Sequence, residues 1–234
     1  MTHHIFFKYL IISLISLSAS VFAAENFNGP YIGLQIGYAD GKHNGEEFRD
    51  DGTLTGWTSK NTTNNILFGG LVGYNKTFTN NILIGIEADY DYRNANKKSL
   101  ELADGVPSSY YTVKNKINSS ASLRAKLGYI FNSNKTLAYI TGGYAGADIK
   151  STYNTIGDGI SLDSAESSNT QWHNGWILGL GAEHYINDKF SAKAEYRYAD
   201  FGKKDADVTN PGLFNYHQNY DKENSIRIGI NYHF

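Results

Sequence analysis

Apolar and polar residues alternate along most of this chain, in eight separate stretches. In the last of them, residues 224–234, Ile226, Ile228, Ile230, Tyr232 and Phe234 share one parity, and Arg227, Gly229, Asn231 and His233 share the other. Two residues is the side-chain period of a β-strand, so this stretch is expected to be a strand with one apolar and one polar face. Residues 31–39 set Ile32, Leu34, Ile36 and Tyr38 against Gly33, Gln35 and Gly37, and residues 65–77 set Phe68, Val72 and Tyr74 against Gly69, Gly73 and Asn75. Residues 82–93, 117–130, 176–185 and 190–201 alternate in the same way. The glycine-rich stretch 136–149 is also expected to be a strand, but its pattern does not assign its faces.

The connections sort by length. Residues 78–81, 132–135 and 187–189, after the second, fourth and sixth stretches, are short and rich in turn formers. The other four connections are polar and run to roughly 20–25 residues. Long connections on one rim, short turns on the other and an even strand number describe a transmembrane barrel. The fold expected is therefore all-β: an eight-stranded antiparallel up-and-down transmembrane β-barrel with short periplasmic turns and four long extracellular loops. A soluble sandwich or lipocalin, the competing fold, rarely sorts its loops so strictly.

The amino terminus and the composition narrow the setting. Lys8, an apolar run over 9–22 and small residues at Ala23 and Ala24 form the pattern of a secretory signal. Cleavage after Ala23 is expected, leaving 24–234 as the barrel domain. The apolar run is roughly 14 residues, short of the ~20 that a spanning helix needs. Export without cysteine (Cys 0) excludes a small disulfide scaffold. Gly 24, Tyr 18 and Phe 12 against Pro 3 suit strands, and a net charge of −2 argues against nucleic acid as a partner. Only a closed barrel lets a sheet satisfy its backbone in lipid.

On the polar parity stand Glu87, Asp89, Arg124, Lys126, Glu183, Lys193, Glu195, Arg197 and Arg227. An eight-stranded barrel has an interior just wide enough for side chains, so these charges are expected to pair with one another and fill it. A narrow polar channel, or a gate made by exchanging partners, is the alternative. Aromatic residues near strand ends are expected to form girdles at the headgroup level: Tyr31, Tyr38, Tyr74, Tyr90, Tyr92, Tyr129, Trp176, Phe190, Tyr196, Tyr198, Tyr232 and Phe234.

At this point the residues resemble a known family. Gly29-Pro-Tyr-Ile-Gly33, Gly69-Gly-Leu-Val-Gly-Tyr-Asn75, Gly85-Ile-Glu-Ala-Asp89, Leu123-Arg-Ala-Lys-Leu-Gly-Tyr129, Thr141-Gly-Gly-Tyr-Ala145, Gly175-Trp-Ile-Leu-Gly-Leu-Gly-Ala-Glu183 and Ala194-Glu-Tyr-Arg-Tyr198, in this order, are similar to strands of the opacity-type outer-membrane β-barrels. These are porin-family surface antigens of Gram-negative bacteria, distantly like the transmembrane domain of outer membrane protein A. The resemblance implies integral insertion in the cell outer membrane after passage through the periplasm. It also implies that the barrel assembly machinery reads Phe234 with Tyr232 two residues before it. The partners expected are outer-membrane lipid and lipopolysaccharide, this machinery and host surface molecules.

Specificity is expected in the long connections. Residues 40–64 carry Glu46, Glu47, Asp50 and Asp51, and residues 150–174 carry Asp158, Asp163 and Glu166, without the oxygen ladder of a calcium loop. His43, His173 and His217 fall in different loops and, with Tyr110 and Tyr111, offer a minor route to haem ligation. No cofactor, metal or catalytic residue is assigned. His184, an outward strand histidine, has no nearby serine for acyl hydrolysis. The function expected is that of a non-enzymatic surface protein serving envelope integrity and contact with host or environment. The alternatives are a small porin passing ions or small solutes, and a loop-based binder of haem or a host protein.

Overall fold

The computed structural model describes residues 27–49, 53–94, 99–103, 106–131, 133–155, 165–202, 208–210 and 214–234. The expected signal segment, 1–23, lies outside the described residues. Ten strands follow in chain order: β1 (Gly29–Arg49), β2 (Leu54–Thr77), β3 (Ile82–Asn94), β4 (Ser99–Ala103), β5 (Val106–Phe131), β6 (Thr136–Thr155), β7 (Ala165–Tyr185), β8 (Phe190–Asp200), β9 (Val208–Asn210) and β10 (Phe214–His233). Eight of them form the wall, each pairing antiparallel with the next.

Closure comes from β1, which pairs with β2 on one side and β10 on the other. The seam with β10 runs from Tyr31 opposite His233 to Arg49 opposite Phe214. A closed ladder leaves no sheet edge within the wall, the condition for crossing lipid. Outside, the wall is apolar: Leu34, Phe68, Ile86, Leu180 and Ile226 are among the large side chains more than half exposed. In β8, exposed and buried residues alternate almost without exception along the strand.

The short turns are built as their composition suggests. Asn81, Ser133 and Asn134 adopt positive φ, which Asn tolerates better than most residues. In the third turn the Asn187 side chain accepts from the amides of Lys189 and Phe190 at 3.0 and 2.9 Å.

The long connections differ from expectation. Residues 40–64 were expected as a loop, yet β1 continues to Arg49 and β2 resumes at Leu54. Likewise β6 runs on to Thr155, β7 starts at Ala165, and β10 starts at Phe214. The four extracellular loops are thus largely paired hairpins, with β4 bridging β2 to β5 and β9 pairing with β10. The physical reason is that apolar alternation marks only the part of a strand in contact with lipid. Above it, the backbone ladder continues between polar residues.

Two ladder irregularities sit at this transition. The pairing of β5 with β6 skips Asn118, between Ile117 and Ser119, and the β1–β10 register shifts between Lys42 and His43. Below Asn118 the even residues of β5 turn inward; at Ile117 an odd residue does. A bulge of one residue swaps the faces in this way.

Since the chain has no cysteine (Cys 0), closure is directly testable. Leu34 and Ile230 are Cα partners across the seam, and antiparallel partners stand about 4.5–5.5 Å apart, within reach of a disulfide. The Leu34→Cys/Ile230→Cys variant is expected to form an intramolecular disulfide on oxidation, whereas Leu34→Cys/Ile140→Cys, at non-adjacent strands, is not. An open sheet would cross-link neither.

Candidate functional site

Inward parity places a dense set of ionisable groups inside the barrel. Among the described residues, six carboxylates (Glu87, Asp89, Asp91, Glu183, Glu195, Glu223) and six cations (Arg93, Arg124, Lys126, Lys193, Arg197, Arg227) are buried there. The formal charges cancel. All nine charged residues assigned to the polar parity lie in this set. Asp91, Arg93 and Glu223 share the same inward rows, two to four residues beyond the assigned ones, and continuing the parity count along β3 and β10 finds them.

The centre of the network is held by β3, β5 and β8. Arg124 pairs with Glu87 and Glu195, and reaches Asp89 at 2.7 Å. Arg197 contacts Asp89 at 3.0 Å and Glu195 at its own strand. Lys126 and Lys193 close on Glu87 at 3.0 and 3.1 Å. Every carboxylate in this layer meets at least two cations, which is what offsets the desolvation of so many charges.

Tyrosine residues extend the layer. The Tyr31 hydroxyl donates to Glu87 at 2.7 Å and accepts from Lys126 at 2.7 Å. Tyr139 donates to Glu195 at 2.8 Å, and the Lys126 ammonium lies 4.8 and 4.7 Å from the Tyr31 and Tyr139 ring centres. Tyr31 was expected in a girdle and is instead fully buried in the lumen. Its parity matches Gly33 and Gln35, so the residue type misled where the period would not have. Glycine makes the room: a Cβ on Gly73 would lie 2.3 Å from the Tyr31 ring, and one on Gly181 2.6 Å from the Tyr139 ring.

Above the centre, Gln35 donates to Asp91 at 2.8 Å while Arg227 pairs with Asp91, and Arg93 pairs with Glu223. The void between these groups amounts to about 10 Å³, room for about one water. Below the centre, Glu183 accepts from Ser191 and from Asn231 at 2.5 and 2.7 Å, and the His233 ring nitrogen sits 3.1 Å away. An apolar cluster of Phe27, Leu83, Ile130, Leu137, Tyr139 and Tyr185 closes this lower end. Phe27 packs on Tyr185 at 4.4 Å and edge-on to His233 at 5.8 Å. A second cluster, with Ile117, Ile149, Ile177 and Phe201, lines the upper end.

These clusters assign β6, whose faces its sequence left open. Leu137, Tyr139, Thr141, Ala145, Ala147 and Ile149 turn inward, while Ala138 and Ile140 turn outward. Both faces are apolar there, which erased the period.

The remaining assigned aromatics are outward. Tyr38, Tyr74, Tyr90, Tyr92, Tyr129, Trp176, Phe190 and Tyr196 are exposed, and Tyr198, Tyr232 and Phe234 are half-buried. They fall into two belts. Tyr74, Tyr129, Phe190, Tyr232 and Phe234 stand near the short turns; Tyr38, Tyr90, Tyr92, Trp176, Tyr196 and Tyr198 stand near the hairpins. Tyr144 and Phe131, not singled out by sequence, join them.

The histidines expected in loops are in strands: His43 in β1, His173 in β7 and His217 in β10. His173 turns inward and is buried, opposite Ala147. The side chains of His43, His217, Tyr110 and Tyr111, and of the acidic residues 46, 47, 50, 51, 158, 163 and 166, lie outside the described residues. Outward His184 is hydrogen-bonded to Thr136 at 2.8 Å.

The family described as outer membrane protein beta-barrel domain matches residues 9–234. The 31 kDa outer-membrane immunogenic protein of Brucella melitensis is 32% identical over 216 residues, covering 89% of this chain and 84% of its own. The 22 kDa outer membrane protein of Rhizobium leguminosarum is 33% identical over 169 residues, covering 71% and 66%. Among solved structures, the outer membrane protein OprG from Pseudomonas aeruginosa aligns with a TM-score of 0.52 at 13% identity, covering 90% of this chain and 98% of that one, a likeness of fold.

Arg124 is shared by three carboxylates, so Arg124→Met leaves Glu87, Asp89 and Glu195 under-compensated. The expected loss is about 3–5 kcal/mol, measured by urea unfolding in lipid vesicles. Adding Glu87→Gln should recover part of that loss, a coupling of about 0.5–3 kcal/mol. Simple additivity of the two would contradict the shared network.

Proposed function

The chain belongs to the outer membrane protein β-barrel domain family and is integral to the outer membrane, and from that premise we propose that it works as a sealed, non-enzymatic surface protein. The barrel supports the envelope, and its tall hairpins meet the host or environment. The observation that carries this reading is the lumen: cross-linked charges at the centre, little more than one water's room above them, and a ring of apolar side chains below. A wall this full favours structural support over solute passage. The hairpins fit the contact role because strand pairing holds polar residues well beyond the lipid-facing rows. The Brucella relative is named as immunogenic, which is in keeping with a displayed surface.

The outer-membrane setting brings contact with membrane lipid. Within the same proposal, lipopolysaccharide is the outer-leaflet partner. Recognition by the assembly machinery would use Tyr232 and Phe234, whose rings meet edge-on at 5.1 Å on the short-turn rim.

Planar-bilayer recording of the refolded protein tests the sealed lumen: no reproducible single-channel step is expected. A stable, ion-selective step would replace this reading with the small porin. Cells lacking the protein are expected to become more sensitive to detergent. A variant with residues 44–60 replaced by a two-residue turn should restore resistance but not attachment to host-cell layers. Attachment that survives the replacement would remove the hairpins from the proposal.

A further inference from the structure

On the outer wall near the hairpins, one glycine is out of place. Gly146 of β6 has outward parity, like Tyr144 and Asp148 beside it, yet it is buried. Its cover is Trp172 of β7. A Cβ on Gly146 would lie 2.4 Å from Cζ2 and 2.6 Å from Nε1 of that indole, so the ring lies across the bare backbone and only glycine permits it. The indole N–H donates to the Tyr144 hydroxyl at 3.2 Å, which in turn donates to Asn174 at 2.5 Å. Trp172 nevertheless remains 38% exposed.

An ordinary girdle tryptophan rests its body in lipid and spends its N–H on headgroup water. Here the N–H is spent inside the protein and the ring is pinned flat, one face on β6 and the other outward. Asp148 is the Cα partner of Trp172 across the ladder, and Lys150 stands one step further out, opposite Thr170. Trp176, its ring tilted against Tyr198 at 5.4 Å, lies toward the membrane centre from it. The result is a rigid aromatic face at headgroup height, edged by an amide and a carboxylate, with a cation beyond.

That combination suits a hexose ring. The polarised C–H face of a pyranose meets the negative π face, and its hydroxyls meet the polar edge. We propose that Trp172, clamped over Gly146, is a stacking platform for the sugar headgroup of an outer-leaflet glycolipid. Asp148 and Asn174 serve its hydroxyls, and Lys150 is placed for a phosphate. The source is the membrane rather than a free glycan, because the platform lies on the outer wall and continues the girdle. This rests on the outer-membrane placement, not on the sealed lumen.

The test uses the full chain refolded in detergent, with Trp57→Phe and Trp176→Phe leaving Trp172 as the sole tryptophan, excited where tyrosine does not absorb. Purified lipopolysaccharide is expected to shift its emission; phosphatidylglycerol vesicles are not. Trp172→Ala and Gly146→Ala should each weaken lipopolysaccharide retention by about tenfold, equivalent to about 1.4 kcal/mol. Tyr144→Phe, which only unpins the ring, should weaken it less and serves if either variant fails the gel-mobility check for folding. Tyr38→Ala, at a girdle ring 51% exposed, should leave retention unchanged. An equal loss with Tyr38→Ala would make Trp172 a plain interfacial anchor and overturn the proposal. So would the same emission shift with phosphatidylglycerol, or delipidated core oligosaccharide competing as well as intact lipopolysaccharide. A conductance step would leave this proposal standing while removing the sealed-lumen reading.

Discussion

Among the described residues, twelve acidic and basic side chains share an interior too narrow for much water, and the rest of the barrel depends on their pairing with one another. An eight-stranded wall leaves inside it only the space its own side chains fill. Since the outer face must be apolar, the polar half of each alternating strand has nowhere else to go. Carboxylates on β3, β8 and β10 therefore meet cations on β3, β5, β8 and β10 across the lumen, while Glu183 of β7 is held by Ser191, Asn231 and His233. No strand satisfies its own charges alone; Arg124 of β5 needs β3 and β8, and Arg227 of β10 needs β3. The ion pairs thus act as cross-braces that fix which strand faces which. The glycines opposite Tyr31 and Tyr139 serve the same end, trading side-chain bulk on one wall for a ring from the other.

Much of this was legible in the sequence, because a period of two is hard to produce by other means. Eight crossings, their order and the inward position of the charged rows follow from parity alone. The failures have physical causes. Tyr31 was sorted by residue type, and a strand-end tyrosine inside looks like one outside until its neighbours are counted. The faces of β6 were hidden because its lumen side builds the apolar ends of the core, so Leu137 and Ile149 read like lipid-facing residues. Strand length was underestimated wherever the ladder left the membrane, since polar hairpins keep their hydrogen bonds while losing the apolar signal. Trp172 gave no sign at all: its significance lies in Gly146, more than twenty residues away in sequence and beneath it in space.

The two rims divide the labour. The short-turn rim is closed by packing, with Phe27 wedged among Tyr185 and His233 and a belt of rings outside. The opposite rim carries the hairpins, the upper girdle and the indole platform. Scaffold and recognition are thereby kept at opposite ends of the same strands.

The extra residue at Asn118 bears on how such a protein can change over time. A β-strand transmits its inside–outside alternation along its whole length, so a one-residue insertion in a hairpin would ordinarily invert every side chain back through the membrane. A bulge where the wall leaves the lipid absorbs that inversion locally. The ribbon above it can gain, lose or exchange residues while the charges below keep their facing partners. Asn118 works as a firebreak between a surface free to diversify and an interior that is not.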